Sequence, residues 1–201
     1  MSARILPRSY YLSEDVLALS KDLLGKVLVT SFNHEVTAGI IVETEAYHGA
    51  QDKASHAYNN RRTSRTETMY AEGGVAYIYL CYGLHHLFNI VTGPKNIPHA
   101  VLVRAIEPVD GIPTMLKRRM LKGISHRLTG GPGILSQALG ITKRNDGSLL
   151  TNEPIWIEDR KIVVSKKDII ASCRVGIDYA EEHRDLPWRF RLRNSPWTSK
   201  A

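Results

Sequence analysis

The sequence predicts an α+β fold built around an antiparallel sheet, and three observations predict it. Segments in which β-branched and aromatic residues alternate with others dominate the middle of the chain, stretches of helical period flank them, and turn-forming residues separate neighbouring strands at hairpin distance. A chain of 201 residues with 43% apolar content can bury one substantial core, so 1–201 fits one domain better than two. No internal repeat or low-complexity tract interrupts it.

The elements follow in order. Ser13-Glu14-Asp15 ahead of Val16, Leu19, Leu23 and Leu24 reads as an N-capped amphipathic helix that Gly25 stops. Lys26 to Phe32 and Glu35 to Ala46 form an antiparallel hairpin around Asn33-His34. Residues 48 to 72 are polar, basic and without apolar periodicity, so they form a long loop, and such a loop is expected on a binding face. Gly73-Gly74 then leads into a strand from Val75 to Tyr82, a turn at Gly83-Leu84-His85 and a returning strand from His86 to Val91, which gives a second hairpin with an aromatic tip. Ala100 to Ile106 adds a further strand. Pro113 opens a helix that runs through Leu116 and Met120 to a stop near Gly123, and Pro132 and Gly140 bracket a shorter helix around Leu135 and Leu139. Ile155 to Glu158 and Lys161 to Val164 read as short strands, and Asp168 as the cap of a helical turn. Trp188, Phe190 and Leu192, alternating with Arg189, Arg191 and Arg193, read as a half-buried strand.

A net charge of +7 gives a positive field that favours a polyanionic partner. Arg61, Arg62 and Arg65 cluster in the long loop and Lys117, Arg118 and Arg119 in another segment, although each cluster alone fits a solvated, salt-bridged face. The longest apolar runs, Val75 to Leu80 and Val101 to Ala105, are far too short to span a bilayer, and no charged-then-apolar leader opens the chain; the expectation is a soluble intracellular protein. Cys81 and Cys173 sit in apolar runs without paired spacing and are expected to be buried, reduced thiols.

Glu43 and Glu45 lie two apart on a strand, so their side chains share one face about 7 Å apart, and either could be a general base. Tyr47 continues that face, while Thr44 and Ala46 point the other way. An enzyme that excises a base must take it out of the stack, fill the gap, hold it between aromatic faces and bring water to the anomeric carbon. Tyr82 at the hairpin tip suits the wedge, Tyr47 and Tyr79 supply π-faces, and His56 or Asn89 could read a base edge. A carboxylate such as Glu45 can both polarise water and stabilise oxocarbenium character. Arg104, alone among apolar neighbours, needs an acceptor, and pairing with Glu45 through the attacking water is one answer. Tyr79 and Tyr82 are three apart, so the scheme requires the strand to bend or end before Tyr82. Gly130-Gly131-Pro132-Gly133 superficially matches a helix-hairpin-helix phosphate loop, although a glycine-rich helix start has structural reasons of its own. No cysteine pair or His-x-Glu signature accompanies the histidines, which disfavours metal catalysis. Two other readings stay open: a glycoside hydrolase with Glu43 and Glu45 as acid and base, and a noncatalytic nucleic-acid-binding module.

The ordered set Val42-Glu43-Thr44-Glu45-Ala46-Tyr47, Asp52, His56, Tyr77-Ile78-Tyr79, Tyr82-Gly83, Asn89-Ile90 and Arg104-Ala105-Ile106-Glu107-Pro108 resembles the alkyladenine (3-methyladenine) DNA glycosylase family, from about Leu12 through Ser195-Pro196-Trp197. The resemblance implies one domain with a curved, mainly antiparallel sheet and peripheral helices, and a monofunctional enzyme without metal, cofactor or Schiff-base lysine. It implies Glu45 as general base, with Arg104 and the backbone carbonyl of Val175 helping to hold the water. Tyr47, His56 and Tyr79 would enclose the flipped base, Asn89 would limit which purines fit, and Tyr82 would intercalate between Met69 and Leu84. Arg61, Thr63 and Arg65 would meet phosphates. The partner would be double-stranded DNA containing damaged purines, met by a monomer. The short start before the first helix lacks the extension of nuclear members, which implies a bacterial-type, cytoplasmic protein held on the nucleoid through DNA.

Three positions depart from the family pattern. Leu84 replaces the methionine usual after Tyr-Gly, Thr66 stands where asparagine is common, and Ile134 occupies an often basic place. The substrate expectation follows from chemistry: bases made cationic by alkylation already have weak glycosidic bonds, so a water activator without a strong leaving-group acid suffices. 3-Methyladenine comes first, 7-methylguanine next, and hypoxanthine or ethenoadenine behind.

Overall fold

The computed structural model describes residues 3–199 and places ten strands in one sheet with every pairing antiparallel. They are β1 (Arg4–Ile5), β2 (Val27–Phe32), β3 (Glu35–Tyr47), β4 (Val75–Cys81), β5 (His85–Thr92), β6 (His99–Asp110), β7 (Thr151–Asn152), β8 (Ile155–Asp159), β9 (Ile169–Ser172) and β10 (Arg189–Leu192). The sheet order is β1-β8-β2-β3-β6-β5-β4, with β10 between β3 and β9. Three α-helices, α1 (Val16–Asp22), α2 (Ile112–Arg118) and α3 (Pro132–Leu139), lie at the periphery. None of the described helices is long and apolar enough to cross a membrane.

β3 organises the sheet. Its first half pairs with β2 through a tight turn in which Asn33 and His34 both take left-handed backbone angles, the geometry a two-residue hairpin needs. Its second half pairs with β10, and β6 runs along the opposite edge. Register shifts leave Val42 on β3 and Arg104 on β6 without partner residues, so an extra residue on one strand is offset by an extra residue on the other. Bulges bend strands and increase twist. Here they curl the sheet into a half-barrel at the segment that carries the two glutamates.

Because residues directly opposite each other share a face, the register sorts the sheet into two surfaces. Thr44, Ala46, Val101, Val103, Phe88, Ile90, Ala76, Ile78 and Phe190 point to the back. There α1 and α3 supply Val16, Leu19, Leu135, Ala138 and Leu139 to the main core. Burying a valine or leucine side chain contributes about 1.5–3 kcal/mol, so this face carries most of the stability. Glu45, Tyr47, Leu102, Ala100, Asn89, Tyr77 and Tyr79 point to the front. The segment between β3 and β4 covers part of that face with Ala57, Met69 and Tyr70 in a smaller cluster, and it contains only three short 3-10 turns.

Several elements differ from expectation. α1 begins after Asp15, whose side chain accepts from the Ala18 amide at 2.9 Å, but α2 stops at Arg118, because Met120 turns into the left-handed region. Lys161–Val164 is not a strand: Lys161 has φ +60° and Val163 is exposed. Asp168 ends a 3-10 turn instead of capping one, and the strand that follows it, β9, has no strand partner except β10. Cys81 is half-buried beside the hairpin tip and Cys173 is exposed in the loop after β9, so neither is the buried thiol expected. In the glycine-rich segment a Cβ on Gly133 would lie 2.9 Å from the His85 side chain, so glycine there lets the start of α3 approach the β4–β5 hairpin.

Gly111, which precedes α2, has φ +68°, and a Cβ on it would sit 2.1 Å from the Val36 carbonyl oxygen. Gly111→Ala is expected to lower stability by about 1–3 kcal/mol, read as an earlier midpoint in urea unfolding.

Candidate active site

The front face of β3, β6, β5 and β4 forms the floor of a cavity, and the loops on either side form its walls. Tyr47, His56, Met69, Tyr77, Tyr79, Tyr82, Asn89, Arg104 and Val175 all line it. Glu45 stands behind this lining. Its side chain is wholly buried, Oε2 accepts from the Tyr47 hydroxyl at 2.9 Å, and Oε1 accepts from the Val175 amide at 2.8 Å and lies 3.2 Å from Arg104 Nη1. Three residues of the cavity wall thus hold one carboxylate. Burial and then Glu45 push the Tyr47 hydroxyl well above the ordinary phenol range, so it keeps its proton.

Glu43 shares the face but has other partners. Its Oε1 accepts from Arg104 Nε at 2.9 Å, Arg189 Nε at 2.7 Å and Ser199 Oγ at 2.8 Å, and Oε2 accepts from the Ser199 amide. Arg104 therefore bridges both carboxylates directly. Burial pulls its pKa down, but Glu45 and Glu43 outweigh burial and hold it above the ordinary arginine value. The backbone amide of Val175 is the group that reaches Glu45.

The aromatic walls are cross-braced. His56 Nδ1 lies 2.9 Å from the Tyr77 hydroxyl, and its ring meets Tyr79 edge-on at 4.6 Å between centroids. Burial, followed by Arg65 and Arg61, lowers the His56 pKa to about 4, so the ring is neutral at pH 7. Arg65 lies over the Tyr79 ring at 5.3 Å with Nη2 3.4 Å from His56 Nε2. Asn89 donates from Nδ2 to the carbonyls of Tyr77 and Leu87 at 3.1 and 3.3 Å, which leaves Oδ1 as its acceptor. The two carbonyl partners fix which end of the amide is nitrogen.

At the rim, β4 ends at Cys81, which removes the conflict over Tyr79 and Tyr82. Tyr82 sits in the turn with φ +50° and is 90% exposed, an unusual backbone state for a bulky residue and the kind of strain that clusters at functional tips. Leu84 is exposed beside it, whereas Met69 is only 2% exposed and belongs to the cavity wall. Arg61, Thr63 and Arg65 are exposed and line a neighbouring depression that shares His56 with the cavity. Thr66 does structural work in their loop: its hydroxyl accepts from the Thr63 amide and donates to the Arg61 carbonyl, each at 2.9 Å. Ile134 is half-buried in α3.

Four residues of this site escaped the sequence reading. Arg189 belongs to an alternating basic run expected to face solvent, yet it is buried against Glu43, and the pairing of β10 with β3 that puts it there leaves no mark in the sequence pattern. Tyr77 shares the parity of Tyr79. Arg174 and Asp52 form a buried two-pronged ion pair beneath Tyr47, and Asp52 stood in the motif without a role. Among the described residues no group of three metal-ligating side chains converges.

Comparison with known proteins places this geometry in a class. The family model for methylpurine-DNA glycosylase matches residues 10–196. Relatives bearing the name "Putative 3-methyladenine DNA glycosylase" include one from Chlamydia felis, 53% identical over 94% of this chain and 96% of its own length. Another, from Alkaliphilus oremlandii, is 46% identical over 97% and 98%, and one from Clostridium perfringens is 43% identical over the same shares. The fold and these relatives define a DNA glycosylase, an enzyme of DNA repair, which sets aside the sugar-polymer and noncatalytic readings. Within that class the chain belongs to the methylpurine-DNA glycosylase family.

Two outcomes follow from the electrostatics. Removing one partner of a buried ion cluster leaves the other charges uncompensated, so Glu43→Ala should cost about 3–5 kcal/mol in chemical denaturation. His56 has a folded pKa near 4 against an ordinary 6.5, so between those values the unfolded chain binds the proton more readily. Stability should therefore fall as pH drops from 6.5 toward 4 and be complete above 6.5, and the fall in melting temperature should be shallower for His56→Gln.

Proposed function

We propose that the chain is a single-domain, monofunctional glycosylase that works as a monomer on double-stranded DNA, everts alkylated purines, and hydrolyses the N-glycosidic bond to leave an abasic site. The observation that carries this reading is the Glu45 carboxylate, held by the Val175 amide and Arg104 directly behind a cavity walled by Tyr47, His56 and Tyr79. Glu45 takes a proton from water as the water oxygen bonds to the anomeric carbon, and the bond to the base breaks with its electron pair going to the base. The carboxylate also offsets positive charge developing on the sugar. The Val175 carbonyl helps to hold the water.

A base methylated at N3 or N7 is cationic before cleavage and leaves neutral, so no strong acid is required. That favours 3-methyladenine first and 7-methylguanine next, and the relatives' names point to the same substrate. Tyr47, His56 and Tyr79 enclose the everted base, and Asn89 limits which purines enter. Tyr82 fills the gap in the duplex with Leu84 at its side, and Met69 backs the cavity wall behind it. Arg61, Thr63 and Arg65 take phosphates, which requires Arg65 to leave His56 and Tyr79. The reaction calls on neither a cofactor nor a lysine nucleophile, and a cytoplasmic location on the nucleoid goes with it.

The test is incubation with methylated duplex DNA, scored for released 3-methyladenine and abasic sites. Glu45→Gln should still bind lesion DNA while excision falls by about 10²- to 10⁴-fold. Turnover at the wild-type rate by that variant refutes the assignment.

A further inference from the structure

Asp52 and Arg174 lie outside the cavity lining, yet together they tie the end of β3 to the two loops that carry His56 and Val175. Asp52 follows a 3-10 turn just after β3, four residues before His56, and Arg174 immediately precedes Val175. Both side chains are fully buried. Arg174 Nη1 and Nη2 donate to the two carboxylate oxygens of Asp52, the latter at 2.9 Å, and Asp52 also accepts from the Ala54 and His48 amides at 3.0 and 3.3 Å. The same guanidinium donates to the carbonyls of Ala46 at 3.0 Å and His183 at 3.2 Å. It is also sandwiched between Tyr47 and Trp188, 4.8 and 5.1 Å from their ring centroids.

We propose that the Asp52–Arg174 pair is a positioning latch that fixes the Val175 amide on Glu45 and braces the Tyr47 ring, and so controls the rate of excision and not the affinity for DNA. The inference rests on Glu45 being the base. Three chain segments converge on one planar group: the end of β3, the start of the long loop and the loop after β9. A fork-to-fork contact fixes orientation as well as distance, which a point charge cannot do. Nε of Arg174 has no partner, so the two Nη groups alone set the plane of the guanidinium. A lysine at this position would keep the charge and lose both the fork and the stack. Misplacing a catalytic group by an ångström is enough to cost about 100-fold in rate.

The experiment compares Asp52→Asn, Arg174→Lys and their combination with wild type, using single-turnover excision of 3-methyladenine from duplex DNA and binding to a duplex carrying a tetrahydrofuran abasic analogue. Excision should fall about 100-fold in each single variant while the Kd for the analogue changes by less than about threefold. The double variant should be no slower than either single, because both remove one latch. Wild-type excision by Asp52→Asn or Arg174→Lys overturns the latch, and so does an equal loss of binding and excision. Glu45→Gln run in parallel separates the two ideas: if it excises normally the reading of the base fails, whereas if it is inactive and the latch variants are normal, only the latch fails. Should those variants not fold, Asp52→Glu takes their place, since it keeps the charge and displaces the carboxylate: reduced excision with unchanged binding supports the latch, and wild-type excision overturns it.

Discussion

Arg104 between Glu43 and Glu45 is the contact on which the rest of the site depends. Two carboxylates at 0% side-chain exposure on one strand would repel each other strongly in a medium of low dielectric, and the guanidinium between them offsets that repulsion. Arg104 reaches both because it is the unpaired residue of the β6 bulge, freed from regular pairing at the point where the sheet curls. One arginine against two glutamates would still leave a negative charge, and Arg189 from β10 supplies the balance. Ser199 closes the cluster from the C-terminal side with its amide and hydroxyl. The four charged groups sum to zero.

That arrangement explains why the sheet needs two such different surfaces. Holding buried charge is costly, and a single well-packed back face offsets the cost while the front accommodates polar groups. Alternation along β3 divides the roles one residue at a time. Thr44 and Ala46 go to the core, Thr44 joined to Ser20 of α1 through its hydroxyl, while Glu43, Glu45 and Tyr47 go forward. A slip of one residue in the β3–β6 register would exchange the two sets, so the core and the site specify the same register.

Much of this was legible in the sequence. The Asn33-His34 hairpin, the hairpin tipped by Tyr82, α3 between Pro132 and Gly140, and the long loop all stand where turn chemistry and periodicity put them. The common face of Glu43, Glu45 and Tyr47 follows from strand parity alone. Sequence patterns failed where tertiary contact decides. The Trp-Arg-Phe-Arg run has the same alternation whether its arginines meet water or a buried glutamate, and only the pairing of β10 with β3 distinguishes the cases. β9 is short and among the described residues pairs with β10 alone, so its four residues carry too little pattern to separate it from a loop. The choice between Glu43 and Glu45 also lay beyond parity, because it depends on which carboxylate is capped by Arg189 and Ser199 and which by residues of the cavity wall.

The two oxygens of Glu45 are not equivalent, and the difference bears on the proposed chemistry. Oε1 has two donors, the Val175 amide and Arg104, and neither gives up its proton at ordinary pH. A proton added there would face an N–H and a guanidinium. Oε2 has one donor, the Tyr47 hydroxyl, which can rotate to accept as well as donate. If a proton arrives from water, Oε2 is the oxygen able to hold it, with Tyr47 turning from donor to acceptor as the carboxylate becomes an acid. The rigid side of Glu45 then fixes its direction and the adaptable side takes the proton. The first depends on the loop carrying Val175 staying in place against β3, the second on β3 itself, which carries Tyr47.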